Sequence, residues 1–254
     1  MANTQTKVLY LEDSYLKEWD AEVIEFIENN EKQVVLDKTA FYPLGGGQPN
    51  DEGDIIINSE KYKVTNVKKT DGKIVHEIDH EGIKVGDRIH CILDWERRYK
   101  LMRMHTAAHV LSAIINQQTQ ALITGNQLGL DKSRIDFDLE EFNRDQMCTF
   151  IEMTNQTIVK GGEVTAYTIS RQAAESRENL CKLAKGLPPA IQEIRILKIK
   201  DIDEQPDGGT HVKDIKEIGK LVFLDVENKG AKRRRIYFTL ENLLIFGVPK
   251  TGGF

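Results

Sequence analysis

DWERRYKLMRMHTAAHVLSAIIN, residues 94–116, is the stretch on which the fold turns. From Trp95 to Asn116 it holds neither Gly nor Pro, and Leu101, Met104, Ala108, Leu111 and Ile115 recur at helical spacing. Everything before it reads differently. Short β-rich runs at 7–11, 21–27, 33–36, 54–57, 62–67, 74–78 and 88–93 alternate apolar with polar residues, and Asp71-Gly72 and Glu81-Gly82 supply turns. No long helical pattern interrupts them, which predicts a small all-β barrel or sandwich. The change of period places a domain boundary near Asp94, dividing the chain into 1–94 and 95–254.

Beyond the helix, strand-like pieces at 121–124 and 133–139 precede a second helix. Asn143 has the N-cap residue type with Gln146 three positions on, and Gly161-Gly162 ends the run. A strand at 164–169, a short helix at 172–183, a strand at 191–199 and a hairpin from 221–226 and 235–240 complete the expectation. Helices and strands interleave without a regular βαβ beat, so the fold class is α+β. The tail 249–254 is expected to be loose.

Composition narrows the function. Hydrophobic residues make up 40% and charged residues 30%, enough for a packed core. The net charge of −5 means that any nucleic-acid contact must come from a local basic surface. No apolar run approaches the roughly 18 residues that span a bilayer, and no leader pattern opens the chain. Cys91, Cys148 and Cys181 form no CxxC pair. A cytoplasmic protein with reduced thiols and no membrane partner is expected.

Two histidines stand four apart in the long helix, His105 and His109. At that spacing both imidazoles project from one face and can share a metal ion. Position 106 is Thr rather than Glu, so the helix lacks the carboxylate base of a metalloprotease. A distant PDGGTH segment adds His211 and Asp207. Four nitrogen and oxygen donors suit zinc or a similar first-row ion. Asp207 could equally be a turn carboxylate capping its own backbone.

The other unusual stretch is FYPLGGGQPNDEG, 41–53. Without a following Lys-Ser/Thr or helix start it is no phosphate loop; three glycines instead let its backbone pack closely against another site. Arg97, Arg98, Lys100 and Arg103 precede the histidines. Lys232, Arg233, Arg234 and Arg235 crowd the last hairpin, where arginines can grip phosphate.

Taken in order, FYPLGGGQPNDEG, RRYKLMRMHTAAH (97–109), GGTHVKDIKEIG (208–219) and ENKGAKRRRI (227–236) resemble the editing domain of alanyl-tRNA synthetase. They are closer still to its free-standing, medium-length AlaX-type trans-editing relatives. The resemblance implies an N-terminal β-barrel carrying the glycine-rich loop, followed by a two-layer α/β editing domain. It implies an aminoacyl-tRNA deacylase that frees alanine tRNA of serine, and of glycine, by metal-assisted water attack on the ester. One zinc per chain would be held by His105, His109 and His211, with Asp207 where many members carry cysteine. Gln127, in ITGNQLGLDKSRIDF, matches a pocket glutamine and joins His105 and His109 in the chemistry. Gly45, Gly46, Gly47, Gln48 and Thr210 would meet the substrate. Arg97, Arg98, Arg103 and Lys232, Arg233, Arg234, Arg235 would hold the tRNA acceptor end. Two other readings stand beside this one: a tRNA-binding accessory protein with a structural zinc, and a metal-dependent hydrolase of small esters or amides.

Overall fold

The structure is a computed structural model that describes residues 6–28, 32–140, 143–177, 180, 185–230 and 232–241. Its first strands are β1 (Lys7–Val8), β2 (Glu18–Glu28), β3 (Lys32–Leu36), β4 (Lys38–Thr39), β5 (Gly53–Ile57), β6 (Glu60–Thr70), β7 (Lys73–Ile78) and β8 (Arg88–Leu93). Six of them close a barrel in the order β2-β3-β7-β6-β5-β8, which leaves no sheet edge among these strands. The alternation puts Val23, Val34, Leu36, Ile55, Val64 and Ile89 inside. The strand expected at 7–11 stops at Val8, where it pairs parallel with β4. Leu9–Leu11 is instead a 3-10 turn that buries Tyr10 edge-on against Tyr42, with ring centroids 5.2 Å apart.

His76 of β7 is wholly enclosed in the barrel. One ring nitrogen lies 3.2 Å from Val34 O and the other 2.9 Å from Thr39 Oγ1, so the neutral ring is satisfied on both sides. Burial pushes its pKa from 6.5 down to about 4. Below pH 6.5 the unfolded chain takes up a proton that the folded barrel refuses. Stability on this account is unaffected above that pH and falls between it and pH 4, by about 3 kcal/mol in all. Urea unfolding across this window should show a steeper pH slope for the wild type than for His76→Asn; equal slopes would refute the assignment.

One residue after β8, the chain enters α1 (Trp95–Thr119), and the side chain of Asp94 caps it by accepting from Arg97 N at 3.1 Å. The helix runs past Asn116 to Gln120, whose left-handed φ of 62° ends it. Then follow β9 (Ile123–Gln127), β10 (Ser133–Phe137), α2 (Arg144–Lys160), β11 (Val164–Ser170), α3 (Arg171–Glu175), β12 (Glu193–Ile199), β13 (Asp203–Pro206), a 3-10 turn at Ile215–Ile218, β14 (Leu221–Asn228) and β15 (Arg234–Leu240). One sheet has the order β14-β15-β10-β9 and another β11-β12-β13. The α+β architecture is as expected. Asn143 caps α2 by accepting from Gln146 N.

Two expectations shift. The strand expected from 121 begins at Ile123, because the longer helix and its left-handed cap occupy the preceding residues. The helix at 172–183 is the five-residue α3; residues 178, 179 and 181–184, Cys181 among them, lie outside the described residues, as does the tail 249–254. Past residue 200, Asp203–Pro206 forms β13, folded back on β12.

Helix α1 is central. Every residue from Leu101 to Ser112 is buried, beneath α2, the Ile215–Ile218 turn and β13. Two of its cations, Arg98 and Arg103, are inside with partners, which departs from the expected basic patch. Arg98 is fully buried, its Nε 3.0 Å from both oxygens of Asp51, with Ser14 O and Ala40 O taking the remaining donors. Arg103 donates to Ile218 O at 2.6 Å and is also buried. Arg97 is tied to Asn50 O at 3.0 Å and to Glu52 at 3.2 Å. Arg98 and Arg103 are thus enclosed and bonded to the protein's own oxygens. Among the described residues no helix is long and apolar enough to cross a membrane.

Candidate metal centre

The i, i+4 spacing on α1 sets His105 and His109 side by side, with ring centroids 5.1 Å apart. The third imidazole comes from a loop between β13 and the 3-10 turn. His211 stacks at a tilt over His105, centroid to centroid 4.3 Å. Asp207 enters from the end of β13. One ligand atom from each of His105, His109, Asp207 and His211 can be chosen so that all lie within 4.8 Å of one another. Asp207 Oδ1 sits 2.8 Å from His211 Nε2, and Oδ2 sits 3.5 Å from His105 Nε2 and 3.7 Å from His109 Nε2. The same Oδ1 accepts from Gly209 N at 2.6 Å, so Asp207 is both a turn cap and a member of the cluster.

All three rings turn the same nitrogen outward and the same nitrogen inward. His109 Nδ1 donates to Asp203 Oδ2 at 2.8 Å, and Gln205 Nε2 donates to that oxygen at 2.6 Å. Thr106 gives its hydroxyl proton to Met102 O, so its oxygen accepts from His211 Nδ1 at 3.2 Å. His105 Nδ1 meets Gln48 Oε1 at 2.9 Å. Each Nε2 faces the Asp207 carboxylate, the side on which metal-binding imidazoles present their ligand atom. Three imidazoles and a carboxylate, each ring oriented by its own acceptor, fit a zinc-type ion.

Charge is finely divided here. Burial pushes His105 well below the ordinary imidazole value and lowers His211 as well. Burial also acts to lower His109, but its bonds to Asp203 and Asp207 outweigh that and raise it to about 9. Burial would raise Asp207, yet the facing His105 and His211 hold it well below the usual carboxylate range.

Two close approaches make the geometry possible. A side chain at Gly209 would run into the His105 ring, 2.3 Å away. A side chain at Gly47 would strike Asn126 Oδ1, 1.6 Å away. The glycine-rich loop thus packs its backbone onto β9, and Leu128 N donates to Gly47 O at 2.7 Å.

The remaining expected site residues divide. Gly45, Gly46 and Gly47 are only partly covered. Gln48 and Thr210, expected to meet substrate, are both fully enclosed; they bond each other, and Gln48 also meets His105. Gln127 is exposed, and its Oε1 accepts from Arg134 Nε at 3.1 Å; the residue of β9 that meets the glycine loop is its neighbour Asn126. On the hairpin, Lys232 and Arg233 are exposed, Lys232 beside Glu140. Arg235 is forked onto Asp136 at 2.7 and 2.9 Å, and Arg234 folds back on Asn228 and Gly230 O.

Sequence reading missed Asp203, Gln205 and Arg195. The first two had a signal: Asp203, Gln205 and Asp207 recur at a period of two, so a strand turns all three toward α1. Arg195 of β12 had none. Its Nη1 donates to Asp207 O at 2.9 Å and Gly209 O at 3.3 Å, pinning the ligand loop.

A family model described as tRNA synthetases class II (A) matches residues 3–97, and one described as the threonyl and alanyl tRNA synthetase second additional domain matches residues 194–237. The chain is 44% identical over 242 residues to a Methanosarcina barkeri protein named alanyl-tRNA editing protein AlaX-M, covering 92% of this chain and 99% of that one. It is 43% identical to the protein of the same name from Saccharolobus solfataricus, covering 93% and 99%. An alanine–tRNA ligase of Thermococcus kodakarensis is 37% identical over 97% of this chain, which spans 27% of that enzyme.

Proposed function

This chain belongs to the AlaX-M family of alanyl-tRNA editing proteins, and we propose that it clears mischarged alanine tRNA in trans, removing serine and also glycine. Water adds to the ester carbonyl, the bond to the terminal ribose oxygen breaks, and free amino acid leaves with the ribose hydroxyl restored. The observation that carries this reading is the convergence of His105, His109, His211 and Asp207 next to the partly open glycine-rich turn. A zinc ion held by those four would supply charge stabilisation and a fixed point for orienting the reacting groups.

The ester is already activated, so held geometry supplies the larger share of the rate. The backbone of Gly45, Gly46 and Gly47 faces the amino acid. In this reading residues 95–254 carry the centre and 1–94 brace it. Lys232 and Arg233 grip phosphates of the acceptor end, since an exposed ion pair such as Lys232–Glu140 exchanges at little cost. A cytoplasmic location belongs to the same reading. The four-donor set also favours a second reading, a tRNA-binding protein whose closed zinc is structural.

One experiment separates them: deacylation of Ser-, Gly- and Ala-charged alanine tRNA, with metal analysis of the same sample. A site built to bond a hydroxyl rejects the analogue that lacks it, so the serine ester should be cleaved at least about 100-fold faster than the alanine ester. Equal rates refute the selectivity, and no cleavage with a full complement of zinc leaves the structural reading.

A further inference from the structure

We propose that Gln48 is a positioning residue through which the barrel's glycine-rich turn sets the ring of His105 for metal binding; this rests on the reading that the cluster holds a metal. Gly45 and Gln48 exchange backbone hydrogen bonds of 2.9 and 3.2 Å around Gly46 and Gly47, whose φ values are 58° and 83°. A two-residue turn with both central φ positive is of the I′ type, which three consecutive glycines permit. The turn thrusts Gln48 away from the barrel into the second half of the molecule, where it is 0% exposed.

There the amide reads two elements at once. Its Nε2 donates to Thr210 Oγ1 at 2.9 Å; its Oε1 accepts from Thr210 N at 3.4 Å and faces His105 Nδ1 at 2.9 Å. Thr210 N–H needs an acceptor, so Oε1 must point that way, and the proton between Gln48 and His105 belongs to Nδ1. The lone pair of His105 is thereby held on Nε2, toward Asp207. The opposite tautomer would aim an N–H into the ion's place. His109 and His211 draw their acceptors, Asp203 and Thr106, from the second half itself. Among the three, only His105 takes its acceptor from the barrel.

The test uses the full chain and Co²⁺, whose visible absorption reports coordination, in competition with a chelator. Losing a supporting hydrogen bond to a metal-bound histidine costs on the order of 10–100-fold in affinity, and Gln48→Leu should show a loss of that size. Gln48→Glu keeps an acceptor, as Asp203 does for His109, and should bind close to wild type. In the metal-free wild type, ¹⁵N spectra of the rings should show His105 protonated on Nδ1. The proposal is overturned by wild-type affinity in Gln48→Leu, by equal losses in both variants, or by an Nε2-protonated His105. The last measurement needs no variant, so it decides even if Gln48→Leu fails to fold. None of these readouts involves tRNA, so their failure leaves the deacylase reading standing. A wild type that binds no Co²⁺ overturns the metal reading and this proposal with it.

Discussion

Alanine at position 211 should leave the protein folded but stripped of metal. His211 is the one imidazole of the cluster that does not come from α1, and its Nε2 lies 2.8 Å from Asp207 Oδ1. Without it the carboxylate loses its nearest imidazole, while Val212 N still ties the loop to Thr106 Oγ1 on the helix. Affinity should fall beyond the roughly 100-fold that loss of a supporting hydrogen bond reaches, because a ligand itself is gone. If the metal contributes several kcal/mol to the reaction, kcat/KM on mischarged tRNA drops by about 10²–10³-fold. Equilibrium dialysis and deacylation on one preparation check both numbers. A metal-free His211→Ala protein with full activity would remove the metal from the chemistry.

The second large effect concerns stability. Removing one partner of a buried ion pair strands the other charge and costs about 3–5 kcal/mol. Arg98→Ala should fall in that range, since Asp51 is 0% exposed and Ser14 O and Ala40 O also lose a donor. Asp51 also accepts from Tyr42 N at 2.6 Å, so the pair anchors the loop that carries the glycine turn. Asp51→Ala alone should cost as much, and the double variant less than the sum, because the second change removes a charge already stranded. Urea unfolding of the three variants gives the coupling. Strict additivity, or a loss under about 1 kcal/mol for Arg98→Ala, would show that the pair is hydrated and does not lock the halves together.

Much of this was readable from residues in line. The period-two runs before residue 94 foretold barrel strands, because a strand with one wet face must alternate. The unbroken stretch from Trp95 foretold a helix, and its i, i+4 histidines had to share a face whatever surrounded them. The convergence of His211 and Asp207 was legible as donor chemistry and from the family resemblance; nothing local said where that loop would go. Arg98 and Arg103 show the limit most clearly. In line, a cation beside other cations reads as a wet surface. Here Arg98 meets an acid 47 residues earlier and Arg103 a carbonyl 115 residues later.

Covalent spacing and side-chain type thus determined the β-then-helix order, the shared face of His105 and His109, and the left-handed freedom of the glycine run. Those properties act over a few residues and need no partner. Which polar groups lie inside, which nitrogen of each imidazole is free, and that Gln48 reaches His105 were decided only when distant segments packed. Desolvation and hydrogen-bond pairing belong to neighbours in space, and those neighbours are up to 202 residues away along the chain.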